Sequence, residues 1–382
     1  MESGELNILL SEEFREEVER NLGRDANSIA LDRRVANARL VATEVKYLAR
    51  AAKKLPTYYA ARAILPPLAF EQSSSEACAA HKPLSGVLAI DLTCGLGVDT
   101  LYLAKRFERV ISIERNEELA TITRHNLRLM GVENVEVISG SSEEFLEGLT
   151  TADLIYADPD RRSAEGKKMV CLEDCSPNIA ALLPMLKEKS NDIVVKLSPM
   201  FDITEALVAF GDGTSVEVIS LGGEVKEVVA HWSRTPRTQT IRATALGSGS
   251  FEVPAEREKL SSAVGFDPEK YNYLIVPDAS LRKAAVVAEW CKAEGFDNFG
   301  AYAFSATAPR EGTMGHIYNM VSAHPWQPKK LKPLVGGRIE VIRHSFPLST
   351  AAICKALGAK EGAGDRWAFA EIDHQMWAFK IE

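Results

Sequence analysis

The side chains best spaced for chemistry lie in the run Asp91-Leu92-Thr93-Cys94-Gly95-Leu96-Gly97-Val98-Asp99 and at Glu114. Cys94 to Gly97 makes a turn that only small residues tolerate. A helix starting near Val98 aims its first backbone N–H groups at whatever lies over that turn. Glu114 falls about 20 residues past the glycines, at the tip of the next apolar run, where a carboxylate can hold a ribose. This is the chemistry of a nucleoside-containing ligand. The dinucleotide fingerprint G-x-G-x-x-G is incomplete, because Thr100 occupies its third glycine position. A nicotinamide or flavin enzyme is disfavoured on that mismatch. A turn that only brings helix and strand together stays possible.

The elements that must position these residues follow from periodicity. Residues 87–92, 110–114, 135–138, 154–157 and 193–197 are short apolar runs of strand length. Residues 99–106, with Leu101, Leu103 and Ala104 as the buried stripe, and 117–130 have helical spacing. Residues 215–221 and 227–233 suit a final antiparallel pair. Alternating strands and helices predict an α/β fold with a parallel sheet covered on both faces. Gly95, Gly97, Glu114, Ser141 and Asp158 all fall at carboxyl ends of strands, where such sheets bind ligands. One shared pocket is the expectation.

The pattern "hydrophobic run, Asp, x-x-Cys-Gly-x-Gly-x-Asp" resembles motif I of the class I S-adenosylmethionine methyltransferases. VENVEVISGSSEEF (132–145), LIYADPDRR (154–162) and IVVKLSP (193–199) are similar to later motifs of that family, in order. The resemblance implies a Rossmann-like methyltransferase sheet and S-adenosylmethionine as cofactor. It sets Asp91 and the backbone of Gly95 and Gly97 toward the methionine part, with Thr93 and Asp99 of the same motif in the cofactor site. It gives Glu114 both ribose hydroxyls, a role suited to two acceptor oxygens, sets Arg115 beside the adenine, and brings Ser141 and Ser142 to the adenine edge. FEQSSSEACAAHK (70–82) precedes the first core strand, where the family lays a segment over the cofactor. Its serines cap a helix near Glu76, or Gln72 or a serine touches cofactor or substrate.

The resemblance puts the reaction at Asp158, Pro159, Asp160, Arg161 and Arg162. Methyl transfer is an in-line displacement in which the protein aligns the nucleophile and relieves its proton. Asp158 would accept a hydrogen bond from an amino nucleophile, and Pro159 would fix the loop. Amino-methylating relatives carry a second proline and an aromatic that stacks on a flipped base; Asp160 and Arg161 replace them here. The arginines would stack on a base, clamp a phosphate, or pair with Glu165, Glu173 or Asp174. D-P-x-R also resembles the 5-methyluridine enzymes of RNA, which attack uracil with a cysteine near the fifth strand. VVKLSPM has none, so a ring or exocyclic nitrogen is the expected acceptor. Lys196 would orient substrate or pair with an Asp.

The chain has 382 residues and a net charge of −8, with 46% hydrophobic content that supports real cores. That charge excludes a global pull toward nucleic acid, so any such binding is local. The six scattered cysteines form no C-x-x-C, and neither a zinc site nor disulfides are expected. No secretory pattern opens the chain and no run approaches bilayer length, so a cytoplasmic protein is expected. Residues 1–85 read as helical. Within them 1–25 carry eight acids against three arginines, whereas 28–67 carry eight Lys or Arg against Asp32 and Glu44. The basic stretch is a solvated helix face or a phosphate-tracking patch. Tyr58 and Tyr59 read as core.

Beyond Ser233 the chain changes character. Residues 271–299 read strand, turn, helix, and with the strand-like pieces that follow suit a ferredoxin-like α+β unit. Residues 336–382 resemble the THUMP-like domain, a relative of an RNA-binding domain, through RHSFPLS and ALGAKEGAGDRWAFA. With QSSSE, DPDRR and KLSPM, the chain resembles the bacterial THUMP-like-domain methyltransferases. The expected division is 1–85 helical, 86–235 catalytic, 236–335 ferredoxin-like and 336–382 THUMP-like. The expected activity is N-methylation of a base in structured RNA. The alternatives are a small-molecule or protein acceptor, or an RNA-docking module that retains the cofactor without turnover. His316, His324, His344 and His374 fit no metal spacing, and Trp326, Trp367 and Trp377 read as core.

Overall fold

The computed structural model describes residues 4–82, 84–161, 172–258, 260–261 and 263–382. Two compact units emerge, Met1–Val216 with Val228–Thr238, and Glu217–Glu227 with Gln239–Glu382. Arg162 and Glu165 lie outside the described residues, as do the side chains of Arg161 and Asp174.

The first unit opens with seven helices: α1 (Glu5–Leu9), α2 (Glu12–Asn21), α3 (Ala26–Ala30), α4 (Ala38–Lys54), α5 (Pro56–Ala61), α6 (Pro67–Gln72) and α7 (Glu76–His81). Their starts are encoded locally. Ser11, Asp25 and Ser75 accept from backbone N–H groups of the first turns of α2, α3 and α7, and prolines open α5 and α6, where a missing N–H costs nothing. Val41, Val45 and Leu48 of α4 are buried with Phe14, Ile29 and Phe70 in a core that continues into Leu96, Val98 and Leu101. Tyr58, fully buried, donates its hydroxyl to the Leu96 carbonyl at 3.0 Å. The Asn126 amide brackets Ile64, accepting from its N–H and donating to its carbonyl at 2.8 Å each. The Tyr58 bond joins the helices to the glycine turn, the Asn126 bonds tie Ile64 to the helix that carries Asn126, and all three satisfy polar groups that burial would otherwise leave unpaired.

The sheet is built from β1 (Gly86–Asp91), β2 (Phe107–Glu114), β3 (Val135–Ser139), β4 (Ala152–Ala157), β7 (Ser190–Leu197), β8 (Thr214–Leu221) and β9 (Glu224–Ser233), while the two-residue strands β5 (Asp160–Arg161) and β6 (Cys175–Ser176) pair with each other apart from it. Between them run α8 (Val98–Ala104), α9 (Glu117–Leu129), α10 (Ser142–Gly148), α11 (Ile179–Lys189) and α12 (Ile203–Phe210). The strand order is β8-β9-β7-β4-β1-β2-β3. β1, β2, β3, β4 and β7 pair in parallel, and β9 runs antiparallel to β7. The chain winds outward from β1 to β3, then returns to the other side of β1 at β4. That reversal opens a crevice at the carboxyl ends of β1 and β4. The second strand begins at Phe107, three residues before the expected 110. Phe107 is buried and pairs with Gly86, so the expected helix stops at Ala104 rather than 106.

In the second unit β10 (Thr240–Ala245) and β11 (Gly249–Pro254) form a hairpin. β12 (Tyr273–Pro277), α13 (Ala279–Lys283), α14 (Val287–Glu294), β13 (Asp297–Phe299), β14 (Tyr302–Ser305), β15 (Gly315–Pro325), α15 (Pro328–Leu331), β16 (Arg338–Arg343), α16 (Thr350–Leu357), β17 (Lys360–Glu361), β18 (Asp365–Ile372) and β19 (Gln375–Ile381) follow. Their eight strands take the order β13-β14-β12-β15-β19-β18-β16-β17. The long β15 pairs with β12 through one half and β19 through the other, with a bulge between, so one sheet runs through the whole α+β region. Trp367 is buried, and Trp326 and Trp377 pack against the cores of this unit.

Candidate active site

β1 ends on Asp91, and the next residues turn sharply. Gly95 and Gly97 have φ of +54° and +81°, where a side chain strains the backbone. At Gly97 a Cβ would also meet Thr123 Cγ2 at 2.7 Å, so that residue sets how closely α9 approaches the turn. At Gly95 a Cβ would find nothing nearer than 3.9 Å; the space over the turn is open.

Asp91 lies beneath this turn and does not line the cleft. Its carboxylate accepts from the Thr93 N–H at 2.9 Å and from the Thr100 hydroxyl at 2.6 Å. Burial raises its pKa to about 6, against the opposing pull of those hydrogen bonds. Thr93 carries the brace further, accepting from the Asp158 N–H at 2.6 Å through Oγ1. The ends of β1 and β4 are thus tied together.

Above the turn opens a cleft of about 330 Å³. Glu114, at the tip of β2, lines it. One of its oxygens accepts from the Gly95 N–H at 2.8 Å and the other from the Asn116 N–H at 2.9 Å. The carboxylate is therefore fixed in place and retains further acceptor capacity. Ser141 caps α10 and donates to Glu143 at 2.8 Å, and Ser142 donates to the Leu92 carbonyl. Ile113, Leu96 and Leu119 supply the apolar part of the wall. Arg115 crosses the rim, reaching Ser176 Oγ at 2.9 Å and Asp160 at 3.1 Å.

The floor on the other side is a chain of charges. Asp158 pairs with Lys196 at the end of β7. Lys196 also donates to Ser74 Oγ at 2.9 Å, Ser74 donates to Asp99 at 2.7 Å, and Asp99 pairs with Lys82 at 2.7 Å. The Lys82 and Asp99 side chains are only 10% and 11% exposed. Burial alone would push Asp99 upward, but the cations of Lys82 and Lys196 outweigh it and hold the carboxyl well below its usual range. Lys54 of α4 donates to the Phe70 carbonyl at 2.6 Å. Burial, with Lys196 and Arg50 nearby, lowers its pKa to about 8 against the opposing Glu71.

Of the residues singled out from sequence, Gln72, Thr93, Gly95, Asp99, Glu114, Arg115, Ser141, Ser142, Asp158 and Asp160 line this one cleft. Lys196 reaches it through Asp158. Asp91 and Gly97 support the turn from below, and Pro159 is a half-buried link between Asp158 and β5. Arg161 is placed by its backbone alone, opposite Cys175. Ser74 and Lys82 were legible only as part of a serine-rich cap and a helix end, and Ser176 carried no signal at all. Among the described residues no group of three or more His, Cys, Asp or Glu could hold a metal ion.

Residues 87–160 match the family model described as RNA cap guanine-N2 methyltransferase. An uncharacterized S-adenosylmethionine-dependent methyltransferase of Mycobacterium tuberculosis is 27% identical over 224 residues, covering 58% of this chain and 59% of that relative. The chain thus spans about three-fifths of that relative's length. A tRNA/tmRNA (uracil-C(5))-methyltransferase of Shewanella piezotolerans is 27% identical over 137 residues, 30% of this chain and 37% of that protein. A crystal structure of a methyltransferase candidate from Porphyromonas gingivalis W83 superposes with a TM-score of 0.84 at 23% identity, covering 100% of this chain and 99% of that one. The chain has the Rossmann-like α/β fold of the methyltransferases, with the matched segment running from β1 into the Asp158 loop.

Proposed function

We propose that this protein is an S-adenosylmethionine-dependent methyltransferase that methylates a nitrogen of a base in structured RNA. The observation that carries this reading is the Asp158–Lys196 pair, which shares one cleft with the open glycine turn and the fixed Glu114 carboxylate. The residues fit the cofactor in three ways. Glu114 offers a carboxylate held by two backbone amides to a ribose. Leu96, Ile113 and Leu119 offer apolar wall to an adenine. Asp99, held ionised, offers negative charge to a cation. When bound, S-adenosylmethionine supplies an electrophilic methyl group on a sulfonium.

The chain's own residues do the rest. Asp158 accepts the hydrogen bond of the incoming N–H, which aims the nitrogen lone pair into the cleft and draws off its proton. Lys196 holds that carboxylate in orientation. Thr93 and Pro159 fix the loop, and the segment 72–74 walls the cleft. A nitrogen acceptor is supported by the sequence at 194–200, where no cysteine stands for covalent attack on a pyrimidine. An RNA acceptor is supported by the description of the matched family and the names of the relatives, and by the resemblance of residues 336–382 to a THUMP-like domain. A small-molecule acceptor is favoured by one feature, the absence of an aromatic after Pro159.

The test is incubation of the protein with methyl-labelled S-adenosylmethionine and RNA from cells lacking the gene, followed by nucleoside mass spectrometry. The expected result is label in an N-methylated nucleoside, lost by at least about a hundredfold in Asp158→Asn, a typical loss for a displaced proton acceptor. Label in a metabolite and none in RNA overturns the substrate.

A further inference from the structure

Several arginines of the first unit are paired with carboxylates. Arg20 meets Glu16 and Glu17, Arg24 and Arg34 share Asp32, Arg62 meets Glu19, and Arg109 meets Glu136. Among the described residues Arg15, Arg33 and Arg128 form no ion pair, but one helix gathers its cations on a single face. On α4, Arg39, Lys46, Arg50 and Lys53 stand at i, i+7, i+11 and i+14, which at 100° per residue is one narrow face. All four are exposed. Arg50 is answered by Glu71; among the described residues no carboxylate forms an ion pair with Arg39, Lys46 or Lys53. The one acid of the helix, Glu44, is buried on the opposite face.

This stripe runs toward the cleft. At its carboxyl end Lys54 bonds the carbonyl of Phe70, in the helix α6 whose Ala69 and Gln72 line the cleft. Arg50 lies 5.2 Å from the ring centre of Tyr47 and 5.3 Å from that of Phe70, which holds the guanidinium between α4 and α6. From Arg39 to Lys53 is about 21 Å at 1.5 Å per residue, a span that matches several phosphates of an extended strand. In a chain of net charge −8, a row of four cations answered by one carboxylate, Glu71, makes a local positive field beside a charged cleft.

We infer that the exposed face of α4 is the track on which the RNA backbone lies as its target base enters the cleft. This rests on the proposed function and names the surface that function uses. The contacts are to phosphate, so they set affinity and register and leave base choice to the cleft.

The experiment compares wild type with the triple variant Arg39→Gln, Lys46→Gln, Lys53→Gln. Binding of bulk transfer RNA is measured at several salt concentrations, and S-adenosylmethionine affinity by calorimetry. Loss of three phosphate contacts is expected to weaken RNA binding about 10- to 100-fold at low salt. It should also flatten the log–log salt dependence by about 2, at about 0.7 per contact. Cofactor affinity is expected unchanged, which also reports an intact fold; Lys46→Arg with Lys53→Arg is expected to bind RNA as wild type does. Three results overturn the inference. The first is wild-type RNA binding and methylation in the triple variant, which leaves the proposed function standing. The second is displacement of RNA by poly-glutamate of equal charge at equal concentration, which marks a site for acidic protein. The third is no binding or methylation of RNA by wild type, which removes the proposed function as well.

Discussion

Thr100 stands where the dinucleotide fingerprint has its third glycine, and its hydroxyl accounts for the departure. It reaches Asp91 at 2.6 Å and Ser112 Oγ at 2.7 Å, so the buried carboxylate at the end of β1 is satisfied and the turn above it is held. That departure was readable as a mismatch; its purpose was not, because it depends on Ser112 of the neighbouring strand. The same limit applies to Ser74 and Lys196, which bond across 122 positions of sequence. Each was visible as a polar residue near a motif, and only folding joins them. Lys196 is expected to act through Asp158. Removing its ammonium in Lys196→Met should lower kcat about 10- to 100-fold with little change in cofactor affinity. Wild-type kcat in Lys196→Met, or a loss matched by an equal fall in cofactor affinity, would mean that Lys196 supports the fold rather than the reacting group.

At the scale of elements, the strands and the glycine turn were legible because each carries its own local signal: an apolar run, then a small-residue turn, then helical periodicity. Boundaries failed where tertiary pairing overrode that signal, as at Phe107, drawn into β2 by its partner Gly86. Helix α4 shows a further cost invisible in periodicity. Glu44 sits on its apolar face, 6% exposed, accepting from the Leu65 N–H at 3.0 Å. Burial raises its pKa to about 8 against that single opposing bond. Unfolded, the carboxyl releases its proton near the usual 4.5; folded, it keeps it until about 8. Between those values the native state holds the extra proton, so stability falls as pH rises. Glu44→Gln, which retains the acceptor for Leu65, should remove this slope. The gain is expected to be negligible at pH 4 and on the order of 4 kcal/mol at pH 8, read from denaturant midpoints across pH. An equal gain at both pH values would show that Glu44 does not titrate with folding.

At the scale of the whole molecule, the motifs pointed to one pocket because β1, β2, β3, β4 and β7 run parallel and end on the same side. The order of motifs along the chain was therefore a map of the cleft rim, and Glu114, Ser141 and Asp158 meet there although 44 positions separate the first from the last. Net charge gave no such map: the total of −8 conceals the cationic face of α4, whose one acid, Glu44, is buried on the opposite side. The central claim is that the space above the glycine turn holds S-adenosylmethionine with its sugar on Glu114. Calorimetric titration of the cofactor into wild type and Glu114→Gln tests it most directly. Micromolar-range binding by wild type is expected, with a loss of about tenfold or more in the variant, as for a hydrogen bond to a charged acceptor. No heat of binding in wild type, or equal affinity in the two proteins, would contradict it.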